Sequence, residues 1–333
     1  IESENNFDST FIELARKVYF TNDERFRLKN EINPKIILAY DPIAFVMGNL
    51  LFSRKRNILW YHNHDVMDLN KNSTMLQRII QRIEMKSMRN LDFFTIPSKE
   101  RIKYFNFNRF SGKIGVIPNY PSIKIYKEFF TNREMNNDEF HILYQGSIGS
   151  GHGIENIIKL LGRNRILDKN IFLNLKGKIA FNYKKELMTL AKEYSFEKNI
   201  LFHDYTPYFE VPKLTSRCHL GIAIFLKDDI MNSTLGSASN KIYEYAAVGT
   251  PIIYFKNEHF TNYLETHSWA LGSDLSNDSL IRLIQFTDKN FKYLSDKAHL
   301  SFLSEFNFEA ASKSFLEEYI LKYSNSQYNN QQT

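Results

Sequence analysis

The 333-residue sequence predicts an α/β protein built on parallel sheets, and three observations carry that reading. Short apolar runs alternate with longer helical patterns almost from end to end. The rhythm lapses in a polar stretch after Pro118 and then restarts, so two such units follow one another. With 43% hydrophobic and 15% aromatic residues there is material for real cores, which excludes a disordered chain.

In the first half, strands are expected at Ile36–Tyr40, Asn57–His62, Phe93–Ile96 and Lys113–Ile117. Helical patterns separate them near Phe11–Asn30, Ile43–Phe52, Thr74–Asn90 and Lys99–Phe107. The join falls between Pro118 and Asp138, where Asn119-Tyr-Pro-Ser is a turn and Thr131 onward is polar and non-periodic. Beyond it, strands are expected at Phe140–Gln145, Ile171–Lys176, Ile200–His203, Leu220–Phe225 and Pro251–Phe255. Their helices are Ile154–Leu161, Tyr183–Tyr194, Val211–Arg217 and Lys241–Val248, and Asp274–Tyr323 reads as helices only. The polar tail from Ser324 to Thr333 reads as disordered. The implied architecture is two Rossmann-like domains facing a cleft, with ligands at the carboxyl ends of the strands.

Composition narrows the chemistry. A single cysteine, Cys218, excludes a disulfide framework and any multi-cysteine metal site, and fits a reducing, cytoplasmic compartment. No apolar stretch approaches the ~18 residues of a spanning helix. The formal charge of +6 admits an anionic substrate, an acidic membrane surface or nucleic acid and selects none of them. No nucleic-acid-binding module is present, so nucleic acid is not expected as a partner. The opening run from Ile1 to Ser9 is polar, does not begin with Met, and reads as a cut or processed boundary.

Five segments carry residues suited to chemistry. Gly146-Ser-Ile-Gly-Ser-Gly-His-Gly153 joins a strand to a helix, where glycines let backbone approach an anion. It is neither the dinucleotide fingerprint nor a P-loop, and a turn that merely needs glycines explains it equally well. Lys176-Gly-Lys178 after the next strand can meet a diphosphate as point charges, or be a solvated loop. In Ser237–Ile253, Ser239 or Asn240 can cap a helix that sets Lys241 and Glu244 on one face, with Gly249 as its stop. Thr74–Asn90 carries a basic stripe of Arg78, Arg82, Lys86 and Arg89, with Leu76, Ile79, Ile80 and Ile83 expected to face the core. That stripe is either a solvated face or attracted to anionic phospholipid. His62-x-His64 with Asp65 and Asp68 invites a zinc reading but lacks a third ligand at helical spacing.

The block Ser237-Ala-Ser-Asn-Lys-Ile-Tyr-Glu-Tyr-Ala-Ala-Val-Gly-Thr-Pro-Ile-Ile253 resembles the donor-site signature of retaining GT-B glycosyltransferases, particularly family 4. Other pieces match in the family's order: Tyr144-Gln-Gly-Ser with His152-Gly-Ile-Glu-Asn, Ile200–Tyr205 with Val211-Pro, Val116-Ile-Pro-Asn119, His62–Asp65 and Phe306–Glu309. The resemblance implies an N-terminal acceptor-side domain over 1–120, a linker over 121–139 and a nucleotide-sugar donor domain over 140–305. A C-terminal helix over 306–323 would return to the first domain. It implies a hexosyltransferase that moves a sugar from a nucleoside-diphosphate sugar to a glycan or lipid-linked acceptor in surface polysaccharide, capsule or lipopolysaccharide biosynthesis. Peripheral contact with the inner membrane would follow.

Carried over residue by residue, Glu244 would accept hydrogen bonds from ribose hydroxyls. Gly146, Ser147, Lys176, Lys178, Tyr205, Gly236, Ser237, Ser239, Asn240 and Lys241 would hold the rest of the donor, and His64 and Asp65 would serve catalysis. The donor is substrate rather than cofactor, and no cofactor or metal is implied; no Asp-x-Asp pair occurs in the chain. Two departures stand out. Gly236 occupies the place of the family's earlier Glu, and the acceptor domain's first strands are not legible before Phe11. The N-terminal domain therefore reads as incomplete, abbreviated or completed by another polypeptide. The alternatives are a non-catalytic nucleotide- or glycan-binding partner and a GT-B-like epimerase.

Overall fold

The computed structural model describes residues 36–51, 57–67, 69, 73–130, 138–227 and 229–321. The helix expected at Phe11–Asn30, the polar run after Thr131, Asp68 and the tail from Ser324 lie outside the described residues. The described residues divide between Val116 and Ile117 into two compact units, with Glu318 to Leu321 grouping with the first.

The first unit holds four parallel strands in sequence order, β1 (Ile36–Tyr40), β2 (Ile58–His62), β3 (Phe93–Ile96) and β4 (Lys113–Val116). The central strands are nearly continuous apolar runs because both of their faces are covered. Helix α1 (Asp41–Leu51) follows β1, and α2 (Met75–Ser87) begins at a capping box between Thr74 and Gln77. The expected helix at Lys99–Phe107 is instead a 3-10 turn over Lys99–Tyr104. The chain leaves it to stack Phe105 and Phe107 on Phe94, with ring centroids 4.8 and 5.3 Å away.

Helix α2 corrects the periodicity reading. Ile80, Glu84 and Ser87 face inward, whereas Ile79 and Ile83 are exposed. The rotation is set by polar anchors: Tyr61 donates to Glu84 at 2.5 Å, and Asn49 donates to Ser87 at 3.0 Å. A buried carboxyl group without these bonds would be costly, so hydrogen bonding outranks the apolar stripe.

The second unit holds six parallel strands: β5 (Glu139–Gln145), β6 (Asn170–Lys176), β7 (Ile200–His203), β8 (Leu220–Ala223), β9 (Ile252–Phe255) and β10 (Ala270–Ser273). Their order is β10-β9-β8-β5-β6-β7, so the strand order reverses between β8 and β5. Its helices are α3 (Ile123–Tyr126), α4 (Ile154–Arg163), α5 (Phe181–Glu193), α6 (Val211–Thr215), α7 (Ile230–Ser233), α8 (Asn240–Ala247), α9 (Glu258–Leu264), α10 (Asn277–Ser304) and α11 (Phe308–Phe315). One core unites β5 and β6 with α4, α5 and α10; another packs α8 and α9 against β8 and β9. Strand β10 was not anticipated: it is four residues long and contains Gly272. The strand expected to run to Phe225 stops at Ala223, because Ile224 and Leu226 turn to bond His152 and Gly151.

At the reversal, β5 and β8 pair only at Ile142–Leu220 and Leu143–Gly221. Past that point the Tyr245 hydroxyl fills the gap, accepting from the Gln145 amide and donating to the Leu143 carbonyl, both at 3.0 Å. Gly221 makes this wedge possible, since a β-carbon there would lie 2.7 Å from the Tyr245 ring.

Candidate nucleotide-sugar site

The carboxyl ends of β5 and β6 carry two glycine turns locked together. Gly146 and Ile148 donate their amides to the carbonyls of Lys176 and Lys178. Gly177 adopts φ +135°, and a β-carbon there would fall 2.0 Å from the Gly146 carbonyl oxygen. The amides of Gly146 and Ile148 are therefore consumed in joining the loops. Gly153, at φ +70°, starts α4. Lys176 is buried and its ammonium is pushed below its ordinary range by desolvation. Lys178 lies with Nζ 5.5 Å from the exposed Tyr205 ring.

Helix α8 opens beside these loops. Gly236, at φ +34°, begins the 3-10 turn Gly236–Ala238, and the buried Ser237 carbonyl accepts from the Asn119 amide. Ser239 sits at the N-cap but makes no side-chain capping bond, and Asn240 is the exposed first helical residue. Lys241 lays Nζ 3.9 Å from the Tyr144 ring centroid and 4.8 Å from that of Phe225. Burial lowers its pKa to about 7, and attraction to Glu244 opposes that shift. It also disfavours a charge on His152, whose pKa burial lowers to about 4.

Glu244, one turn on, is 7% exposed. Burial raises its pKa, opposed by the Gln145 amide, the Tyr126 hydroxyl and the Lys241 charge. Gln145 Nε2 donates to Glu244 Oε2 at 2.6 Å, and Thr215 Oγ1 donates to Gln145 Oε1 at 2.7 Å. Tyr126 is fully buried beside Glu244 and Tyr208, and its hydroxyl has no hydrogen bond of good geometry. Gln145, Thr215 and Tyr126 were not singled out from the sequence. A polar residue closing an apolar strand was the readable signal for Gln145; Tyr126 left none.

His64 and Asp65 lie in the first unit, on the loop after β2. Asp41, at φ +62°, accepts from the backbone amides of His64 at 2.9 Å and Asp65 at 3.4 Å. Buried Arg101 donates to the His64 carbonyl at 2.6 Å and pairs with the exposed Asp65 carboxylate at 3.6 Å. His62 meets Thr95 Oγ1 at 2.9 Å, and burial lowers its pKa to about 4. The loop is thus held by its backbone, leaving the half-buried His64 ring and the Asp65 carboxylate at the surface. Among the described residues no group of three or more His, Cys, Asp or Glu side chains is arranged to hold a metal ion.

Residues 126–286, just under half of the chain, match the family model for glycosyl transferases group 1. Sucrose-phosphate synthase from Thermosynechococcus elongatus superposes with a TM-score of 0.66 at 15% identity, covering 96% of this chain and 80% of that one. HepE from Anabaena, crystallised with UDP, gives 0.60 at 17% identity over 84% and 78% of the two chains. A glycosyltransferase from Rickettsia africae gives 0.62 at 12% identity over 96% and 82%. No protein of curated function matches the sequence. The fold is that of the GT-B glycosyltransferases.

Proposed function

We propose that the chain is a metal-independent, retaining glycosyltransferase that takes a sugar from a nucleoside-diphosphate donor held by the second unit. The observation that carries this reading is Glu244: a carboxyl group set one turn into α8, at the reversal of the strand order, and aimed by Gln145. A carboxylate there accepts two ribose hydroxyls in fixed geometry. Lys241, Lys178 and the first amides of α8 answer the diphosphate, whose charge grows as the glycosidic bond breaks. Lys176, Gly146, Ser147 and Gly236 to Asn240 complete the donor wall, and Tyr205 offers a ring to the base. HepE was crystallised with UDP-glucose, which makes UDP-sugars the first donors to try.

His64 and Asp65 act on the acceptor side. The acceptor is a surface glycan or its lipid-linked precursor, reached from the cytoplasmic face of the membrane. The exposed Arg82 and Lys86 on α2, with Arg89 in the turn after it, suit an anionic surface, and no helix among the described residues is long and apolar enough to cross a membrane.

The test is thermal stabilisation by a panel of UDP-, GDP-, ADP- and CMP-sugars, followed by product analysis with the donor that binds. A ligand at ~100 times its Kd adds ~2.7 kcal/mol of stability. A shift with one nucleotide class, lost in Glu244→Ala, supports the donor site. No shift with any donor overturns it, and an inverted product anomer removes the retaining mechanism.

A further inference from the structure

The structure assigns Gln145 as a positioning residue: with Thr215 behind it, it fixes the Glu244 carboxyl group and docks α8 onto the end of β5. The assignment rests on the donor-site reading for its purpose, and on geometry for its existence.

Gln145 is 3% exposed and ends a strand whose preceding residues are core. A glutamine inside that core needs all its polar atoms satisfied. Its backbone amide donates to the Tyr245 hydroxyl, and its side-chain amide donates to Glu244 at 2.6 Å. One residue of β5 thus grips two successive residues of α8, across the gap where β5 and β8 have stopped pairing.

The amide orientation follows from its neighbours. Thr215 Oγ1 stands 2.7 Å from Gln145 Oε1 and 2.9 Å from the Val211 carbonyl oxygen. Turning the amide over would point an oxygen at a carboxylate, so the hydroxyl–oxygen, amide–carboxylate arrangement is the one with paired donors and acceptors. Glu244 Oε2 is then committed to Gln145. The buried Tyr126 hydroxyl, without a hydrogen bond of good geometry, stands nearby. A carboxyl group held this way meets a ligand hydroxyl without first being ordered, which lowers the entropic cost of binding.

The charged and titratable groups facing Glu244 are Lys241 and Tyr245 on its own helix, Tyr126 on α3 and Tyr208 in the turn before α6. With Gln145 removed, one donor is lost from the charged form while burial remains. The carboxyl group then holds its proton to higher pH.

The experiment compares Gln145→Met and Thr215→Val with wild type, using Glu244→Gln to identify the Glu244 carboxyl band in difference infrared titrations without ligand. Gln145→Met is expected to raise the Glu244 midpoint by about one unit or more, and Thr215→Val by less. An unmoved midpoint in Gln145→Met overturns the assignment whether or not any nucleotide binds. For the UDP-sugar, KM should rise roughly 10-fold with kcat within a factor of about two, and the loss should shrink as pH is raised. A wild-type KM in Gln145→Met, or a loss the same at every pH, also overturns it. Should Gln145→Met fail to fold, Thr215→Val and Thr215→Ser decide: Ser keeps the wild-type midpoint, Val does not, and equal midpoints overturn the assignment. If wild type binds no nucleotide, the donor reading falls while the infrared result still judges the clamp.

Discussion

Glu84 in the first unit and Glu244 in the second are both buried carboxyl groups whose pKa burial raises, yet the charges beside them have opposite signs. Glu84 is 1% exposed and its pKa is raised further by the nearby Asp41 charge, while the hydrogen bond it accepts from the Tyr61 phenol only opposes the rise. It therefore holds its proton up to about pH 7. Glu244 has an amide donor, a tyrosine hydroxyl and a lysine beside it, all favouring the charged form. Desolvation alone says only that a carboxyl group is buried. The charge beside it says whether burial's push toward the neutral form is reinforced, as by Asp41 at Glu84, or resisted, as by Lys241 at Glu244.

The largest expected effect is a pH-dependent stability that belongs to Glu84. Its folded pKa of about 7 lies above the ordinary 4.5, so the folded state retains the proton that the unfolded chain has lost. Stability from this group is full below pH 4.5 and falls by roughly 3 kcal/mol as pH rises to 7. Urea unfolding read by Trp60, with Trp269→Phe to silence the other tryptophan, should show that slope, and Glu84→Gln should flatten it. An equal slope in both proteins would break the comparison.

Next in size is the contrast in binding. Glu244→Ala should weaken nucleotide-sugar affinity by about 10- to 100-fold, the worth of a hydrogen bond to a charged group. Glu84→Gln should leave it unchanged in the same calorimetric titration. Loss in both variants would mean that Glu84, too, serves the ligand.

Lys241 sharpens the comparison more finely. Its pKa near 7 leaves it largely neutral at pH 8, and an arriving diphosphate should recharge it. Calorimetry in buffers of different ionisation enthalpy should therefore record proton uptake on binding at pH 8, absent in Lys241→Met. The smallest effect lies on the outer side of the helix that buries Glu84. Ile79→Ser and Ile83→Ser should shift stability by no more than ~0.5 kcal/mol, since both residues are exposed. A loss of several kcal/mol would restore the core-facing reading of that stripe.

Much of the architecture was legible because it depends on local chemistry. Strands β1, β3 and β7 coincide with their apolar runs, because a short run of apolar and β-branched or aromatic residues is a local signal for a strand. The alternation of strands and helices predicted two Rossmann-like units, and the Lys241–Pro251 block carried the resemblance to GT-B glycosyltransferases, whose group 1 model residues 126–286 match. The rotation of α2 was not legible: Leu76, Ile79, Ile80 and Ile83 mark one stripe, but Tyr61 and Asn49, distant in sequence, decide which way the helix turns. At the site, Glu244 and Lys241 share a helical face by spacing alone. Their microenvironment comes from Gln145, Tyr126, Tyr144 and Phe225, brought in from other elements.

Local sequence was enough for most of the elements, their parallel pairing and the helix that presents Lys241 and Glu244. Periodicity, glycine stops and proline turns act over a few residues. Which carboxyl groups are buried, and which donors and charges meet them there, follows from the tertiary structure alone. A protonation state is set by desolvation and by donors a hundred residues away, and nothing in local spacing encodes those distances.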